Sequence, residues 1–318
     1  MARLVDSPKP PPPTSWEKWR RSLNKKLGRP ATPDVGILAG MFMALRDAVS
    51  LALASPLDSV AVAHPPIPGL AAYDVADALE YAGLRSWLTS ETAGAGLYPA
   101  RLTEAHAVFA AEGQGLCNNY KDLFECWDEQ ERMVHHTVLL VGFTRVDLRA
   151  EVAPLRAPFH WDQSVLEMFV DLGAGLDGMD DFESEVAFWA RVHDRLTAVA
   201  RRTRLTRVML VGENVTDPKF LSVLKDALAG SRYAVGSGEI QGEERVLVVP
   251  ERDRMVDPMF ASARGAAQYA RWRQEAPFGC REQRRCDEDR EREREREREM
   301  TQKEQGSQQI GAGAAELK

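Results

Sequence analysis

Apolar residues return along this chain in two rhythms, every three or four positions in some stretches and in short continuous or alternating runs in others. From Val35 to Ala54, the positions Ile37, Leu38, Met41, Leu45, Val49 and Leu53 predict an amphipathic helix. The run Asp58 to His64, closed by Pro65 and Pro66, predicts a strand. Val75, Leu79 and Ala82 predict a helix that ends at Gly83, and residues 84–88 a further strand. Together these make a strand-helix-strand unit. Leu102 to Gly113 reads as a helix. Thr137 to Gly142 reads as a strand, and Val146 to Val152, alternating apolar with charged, as its antiparallel partner. A helix beginning at Asp181 carries Phe182, Val186, Trp189, Val192, Leu196 and Val199 on one face. Val208 to Val211 is a continuous apolar run that stops at Gly212 and gives way to Phe220, Leu221, Leu224 and Leu228 at helical spacing. That order predicts a buried parallel strand, a tight turn and a helix packed back on the sheet. Asn214 or Thr216 can cap this helix, Pro218 suits its first turn and Asp217 its positive end. The alternation of elements predicts an α/β fold.

The flanks follow neither rhythm. Residues 1–33 are proline-rich and charged, with Lys9 leading into four prolines, and are expected to form a disordered leader. A closing helix from Pro258 to Arg273 ends the folded region, taken as 34–275, and 276–318 is a charged low-complexity tail. In that tail Arg290 to Glu299 alternates Arg with Glu, which sets opposite charges three apart but like charges four apart. Removing everything after Arg273 is therefore expected to leave the fold intact.

The chain has 318 residues with 44% hydrophobic content, enough for one large core or two modest ones. Its net charge of -7 weighs against a nucleic-acid-binding surface. A local cluster from Trp16 to Lys26 mixes aromatics with cations and can be read as a solvated surface helix or arm, or as a contact for nucleic acid or an acidic membrane. The first reading is favoured, giving an expectation of no nucleic-acid and no membrane partner. Arg46 and Asp47 break the longest apolar stretch, and no apolar block of signal type precedes it. Cys117/Cys126 and Cys280/Cys286 lack zinc-site spacing and are expected to be reduced thiols of a cytoplasmic or nuclear protein. No metal site is expected: His135 and His136, adjacent on a strand, point to opposite faces. Nucleophile-elbow, metalloprotease and P-loop motifs are absent from the sequence.

The segment LVGENVTDPKFLSVLKDAL, followed downstream by Val256-Asp257-Pro258 and by Ala261, Ala263, Gly265, Ala266 and Ala267, resembles the adenosine-binding segment and closing helix of the actin-like ATPase superfamily, above all its seventy-kilodalton heat-shock chaperones. The resemblance covers about residues 35 to 273 and implies a ribonuclease H-like, actin-like ATPase fold, incomplete in this chain. It implies adenosine-contacting positions at Gly212, Glu213, Asn214 and Gly265. Glu104 stands where the family carries the Glu that helps position water and metal. The phosphate hairpin should fall at the turn after Thr137–Gly142, which reads Gly142-Phe143-Thr144-Arg145-Val146 and lacks the family's Asp and paired glycines. Asp171, Gly173 and Gly175 spell that motif elsewhere, but an acidic run opening a helix follows, so both a phosphate loop and a helix-entry turn stay open. The family's first phosphate loop and the subdomain that grips the adenosine find no counterpart. Glu213 stands in place of a glycine and Thr216 in place of an arginine that stacks on the base. The resemblance therefore implies a pseudo-ATPase that binds or scaffolds an unidentified protein partner without a cofactor. The alternative is an ATPase with drifted motifs that binds ATP and magnesium.

The turn at Gly212 generates the first testable expectation. It requires positive φ or close backbone approach, neither of which a β-branched residue tolerates. Gly212→Val is expected to lose soluble expression or several degrees of melting temperature, read by thermal denaturation; a wild-type melt would show that the turn lies elsewhere.

Overall fold

The computed structural model describes residues 11–87, 99, 101–160, 163–229 and 256–276, together with 291–292, 295–296 and 298 in the tail. The start of the leader, position 88 of the second expected strand and most of the alternating Arg/Glu run lie outside these residues. The described chain is mixed α/β, as its pattern predicts.

Within the stretch read as a disordered leader, Ser15–Lys26 form a helix (α1). Thr14 and Glu17 cap it reciprocally, Glu17 lying in its first turn and Lys25 and Lys26 in its last. None of its residues is buried. It is fastened instead by charge, a contribution invisible to hydrophobic periodicity: Arg21 reaches Asp74 at 2.9 Å and Asp77 at 2.6 Å. Helix α2, Pro33–Leu53, starts at a Thr32 cap with proline in the first turn. It buries Val35 and Ala39 against Val75, Ala78 and Leu79 of α3, Ala72–Tyr81. The expected single strand after α2 is instead two short ones, β1 (Ser59–Val60) and β2 (Ala63–His64). Each pairs in parallel with a different partner, β1 with β3 (Arg85–Ser86) and β2 with β4 (Leu102–Thr103), which divides the run.

Helix α4, Glu104–Ala111, follows β4 directly, and every one of its residues is buried. After helix α5, Leu123–Arg132, the chain enters a four-stranded sheet of β5 (His136–Phe143), β6 (Leu148–Leu155), β7 (Glu167–Asp171) and β8 (Arg207–Val211), ordered β7-β6-β5-β8. The first three strands are antiparallel, and β8 joins β5 in parallel after a crossover through α6, Glu185–Ala200. Alternate residues serve two cores. Leu139, Val141 and Phe143 with Val208 and Leu210 pack on α6 and on α7, Pro218–Leu228. Val138, Leu140, Met209 and Val211 pack on α4 and the start of α8, Ala261–Glu275. Coverage of both faces is why β5 and β8 read as unbroken apolar runs.

Helices α4 and α8 cross without a gap. A Cβ at Gly265 would sit 1.8 Å from the Ala107 carbonyl oxygen, so this position serves helix contact. Helix α8 runs beyond the expected stop at Arg273: Arg273 and Ala276 are buried, and Glu275 accepts a hydrogen bond from Tyr120. The cut after Arg273 would thus remove the last residues of this helix and the buried Ala276. The expectation of reduced thiols is corrected for Cys117 and Cys126, while Cys280 and Cys286 lie outside the described residues. Cys117 and Cys126, both buried, are joined in a disulfide with Cα atoms 5.3 Å apart, because α5 turns the chain back over the Cys117 loop.

Candidate functional site

Strand β6 places Arg149 and Glu151 on the face that meets α4, Glu151 buried and Arg149 half-buried. Arg149 forks onto Glu104, the first residue of α4, with Nε 2.7 Å from Oε2 and Nη2 2.9 Å from Oε1. Its remaining amine, Nη1, donates to both carboxylate oxygens of Asp147 at 2.9 Å. Burial alone would lower the guanidinium's affinity for its proton. The hydrogen bonds and negative charge of Glu104 and Asp147 outweigh that effect, and the Arg149 pKa is raised. The side chain lies across Gly142: a Cβ there would be 2.7 Å from Arg149 Cγ, so only glycine lets the arginine pass.

Glu151 sits beside this network and is 3% exposed. Burial first, and the charge of Glu104 second, push its pKa up to about 8. The Thr103 hydroxyl and Ala105 amide offset the rise only in part, and neither carboxyl oxygen has a partner in hydrogen-bond geometry. Glu104, Gly142, Arg149 and Glu151 line a small cleft together with Pro65 and Pro66. His64 is held by the Pro65 carbonyl through Nδ1 at 2.7 Å, and burial lowers its pKa, leaving a neutral imidazole.

At the end of the same hairpin, the turn consumes its own donors. Thr144 N–H donates to the Asp147 carbonyl at 2.9 Å, and the amides of Val146 and Asp147 donate to Thr144 Oγ1 at 3.2 and 3.1 Å. The Arg145 amide donates to Glu213 Oε1 at 2.9 Å. A carboxylate of the chain itself therefore occupies the position from which this turn would hold an external anion. Arg145's side chain is tied to Asp177 at 3.0 Å.

Gly212 has φ +113°, and a Cβ there would lie 2.6 Å from the Phe143 carbonyl oxygen, as its turn requires. Asn214 donates its amide to that same carbonyl at 3.2 Å, which welds the β8–α7 turn to the hairpin. The cap of α7 falls to Asp217, which accepts from the amides of Lys219 and Phe220. Gly212, Glu213 and Asn214 thus sit together beside the hairpin, whereas Gly265 lies at the α4–α8 crossing. Asp171 ends β7 and is followed by a turn and a 3-10 helix, Leu176–Asp181, rather than by a strand. Its carboxylate accepts from Arg191 at 2.8 Å, Arg195 at 3.0 Å and the Gly173 amide at 3.1 Å. Gly175 packs on the hairpin turn, where a Cβ would meet the Val146 carbonyl carbon at 2.3 Å.

Glu104 was legible at its position, but Asp147, Arg149 and Glu151 were not. In an alternating strand their charges point to solvent; here β6 is flanked by β5 and β7 and covered by α4, so the charged face turns inward. Among the described residues no cluster of His, Cys, Asp and Glu is arranged to hold a metal. No family model matches the chain, and no curated protein is significantly similar to it.

Two outcomes follow from the network. Arg149→Met leaves Glu104 and Asp147 as buried unpaired charges and is expected to cost roughly 3–5 kcal/mol in urea denaturation, with much of the loss recovered when Glu104→Leu and Asp147→Leu are added. Glu151 binds its proton more tightly folded than unfolded, so stability falls as pH rises from about 4.5 towards about 8 and levels above that. Glu151→Gln is expected to flatten this slope, at most about 1.4 kcal/mol per pH unit, in melts taken across that window.

Proposed function

We propose that this chain is a non-hydrolysing, heat-shock-chaperone-like protein of actin-like ATPase type, a pseudo-ATPase that works by binding or scaffolding another protein. The observation that carries the reading is the hairpin turn after β5. By chain order it is the counterpart of the phosphate hairpin, it lies beside the Gly212–Asn214 turn, and each amide from Thr144 to Asp147 already has an acceptor within the chain. Nucleotide hydrolysis in this type of fold rests on backbone donors and magnesium gripping the terminal phosphates and on a carboxylate aligning water. Here Glu213 meets the donor, and Arg149 takes both oxygens of Glu104. Any phosphate approaching the turn would compete with a tethered carboxylate and meet its negative charge.

The sheet order and the close α4–α8 crossing support keeping the framework after loss of the chemistry. Helix α4 begins at the family's Glu position, and α8 follows the segment whose Pro258 carbonyl accepts from Gly212 N–H at 3.0 Å. These contacts join the two stretches that carry the resemblance.

Magnesium-ATP at physiological concentration is expected to leave the melting temperature unchanged and to be turned over no faster than in buffer. A saturable rise in melting temperature that Asp171→Ala abolishes would overturn the reading and make the chain a nucleotide-binding ATPase whose phosphate loop is Asp171-Leu172-Gly173-Ala174-Gly175.

A further inference from the structure

Helices α1 and α2 both dock on α3 and both turn an apolar stripe away from it. In α1, Arg21 and Lys25 face inward to Asp74, Asp77 and Glu80, and Arg21 also lies 4.7 Å from the centre of the Tyr73 ring. At 100° per residue the opposite side of α1 carries Trp16, Trp19 and Leu23, continued by Leu27 at its C-cap. Trp16 is 64% and Trp19 54% exposed, and their rings stack 4.8 Å apart. Arg20 and Lys26 flank the stripe on its two sides and form no ion pair among the described residues. In α2 the buried Val35 and Ala39 face α3, while Ile37, Met41, Leu45 and Val49 form a second exposed stripe, Ile37 being 68% exposed.

A solvated surface helix has no need of two stacked tryptophans on its outer face, and apolar area of this kind marks a contact. Charge selects the occupant. A second copy seated on α1 would bring Arg20 and Lys26 against their own kind, an arrangement that repels. Duplex or single-stranded nucleic acid would use the cations but leave the exposed Leu23 and Leu27 of the same stripe in water. An anionic lipid surface satisfies all three features, since indoles settle at the headgroup level, aliphatic side chains enter the acyl boundary and flanking cations pair with phosphate and carboxylate.

We propose that the outer face of α1 docks this protein on anionic membrane surfaces. The contact is peripheral. Helix α2 is long and apolar enough to cross a bilayer by length and composition. It is held to α3 through its inner face and through Arg46, whose Nη1 donates to the Ala82 carbonyl at 2.6 Å. This departs from the expectation of no membrane partner drawn from the sequence, because the outward direction of the stripes is a property of packing. It does not depend on the pseudo-ATPase reading.

The test is co-sedimentation of the full chain with phosphatidylcholine vesicles, with and without phosphatidylserine, alongside tryptophan emission and sedimentation velocity without lipid. Binding to the serine-containing vesicles, a blue shift on binding and a monomer in their absence are expected. Arg20→Glu with Lys26→Glu should weaken partition about tenfold or more, as should raised salt. Trp16→Ala with Trp19→Ala should weaken it comparably while the melting temperature stays at the wild-type value, since neither side chain is buried. Failure to partition onto the anionic vesicles, equal partition onto phosphatidylcholine alone, or a lipid-independent dimer dispersed by the tryptophan substitutions would each overturn the proposal.

Discussion

A guanidinium cannot be left unpaired in a protein interior, and the placement of Arg149 under α4 imposes that constraint on everything around it. Its three guanidinium nitrogens are answered by Glu104 from the helix and by Asp147 from the hairpin, so the start of α4 and the β5–β6 turn are locked to each other through one side chain. The backbone beneath must be glycine, and Gly142 supplies it. The neighbouring Glu151, facing another carboxylate and little water, keeps its proton well above the usual carboxylate range. A single buried cation therefore sets the local sequence and the helix-to-sheet geometry.

The same constraint shapes the functional reading. Glycine, hairpin turn, helix-start glutamate and glycine-ended parallel strand are the parts from which an anion site of this kind is assembled. In this chain each part is turned on another part. Arg149 lies over the glycine and holds the glutamate, and Glu213 caps the turn amide left over by the internal hydrogen bonds. Asp171, which spells the motif in sequence, anchors α6 through Arg191 and Arg195. The arrangement favours a stable framework over an open site.

Much of this framework was legible in the sequence wherever burial on both faces produces a pattern of its own. The run Val208 to Val211, the stop at Gly212 and the α7 stripe could be read because a parallel strand, a positive φ and an amphipathic helix each leave a distinct signature. Four features left none. The division of residues 59–64 into two strands depends on which partners come alongside. The inward direction of Arg149 depends on β6 being an inner strand under a helix, whereas its alternating charges alone indicate a solvated face. Helix α1, read within a disordered leader, is held by ion pairs to residues some fifty positions away. The Cys117–Cys126 disulfide likewise comes from the path of α5, because spacing alone does not bring two cysteines within bonding distance.

The claim at the centre of this account is that the hairpin turn and the Gly212–Asn214 turn are closed on each other and offer nothing to a phosphate. Amide hydrogen exchange resolved to single residues, measured with and without saturating magnesium-ATP, tests it most directly. The account predicts that protection at Thr144–Asp147 and Gly212–Asn214 is the same in both conditions. Nucleotide-dependent protection confined to those amides would contradict it, showing that Glu213 yields its place and that the site is open to an anion.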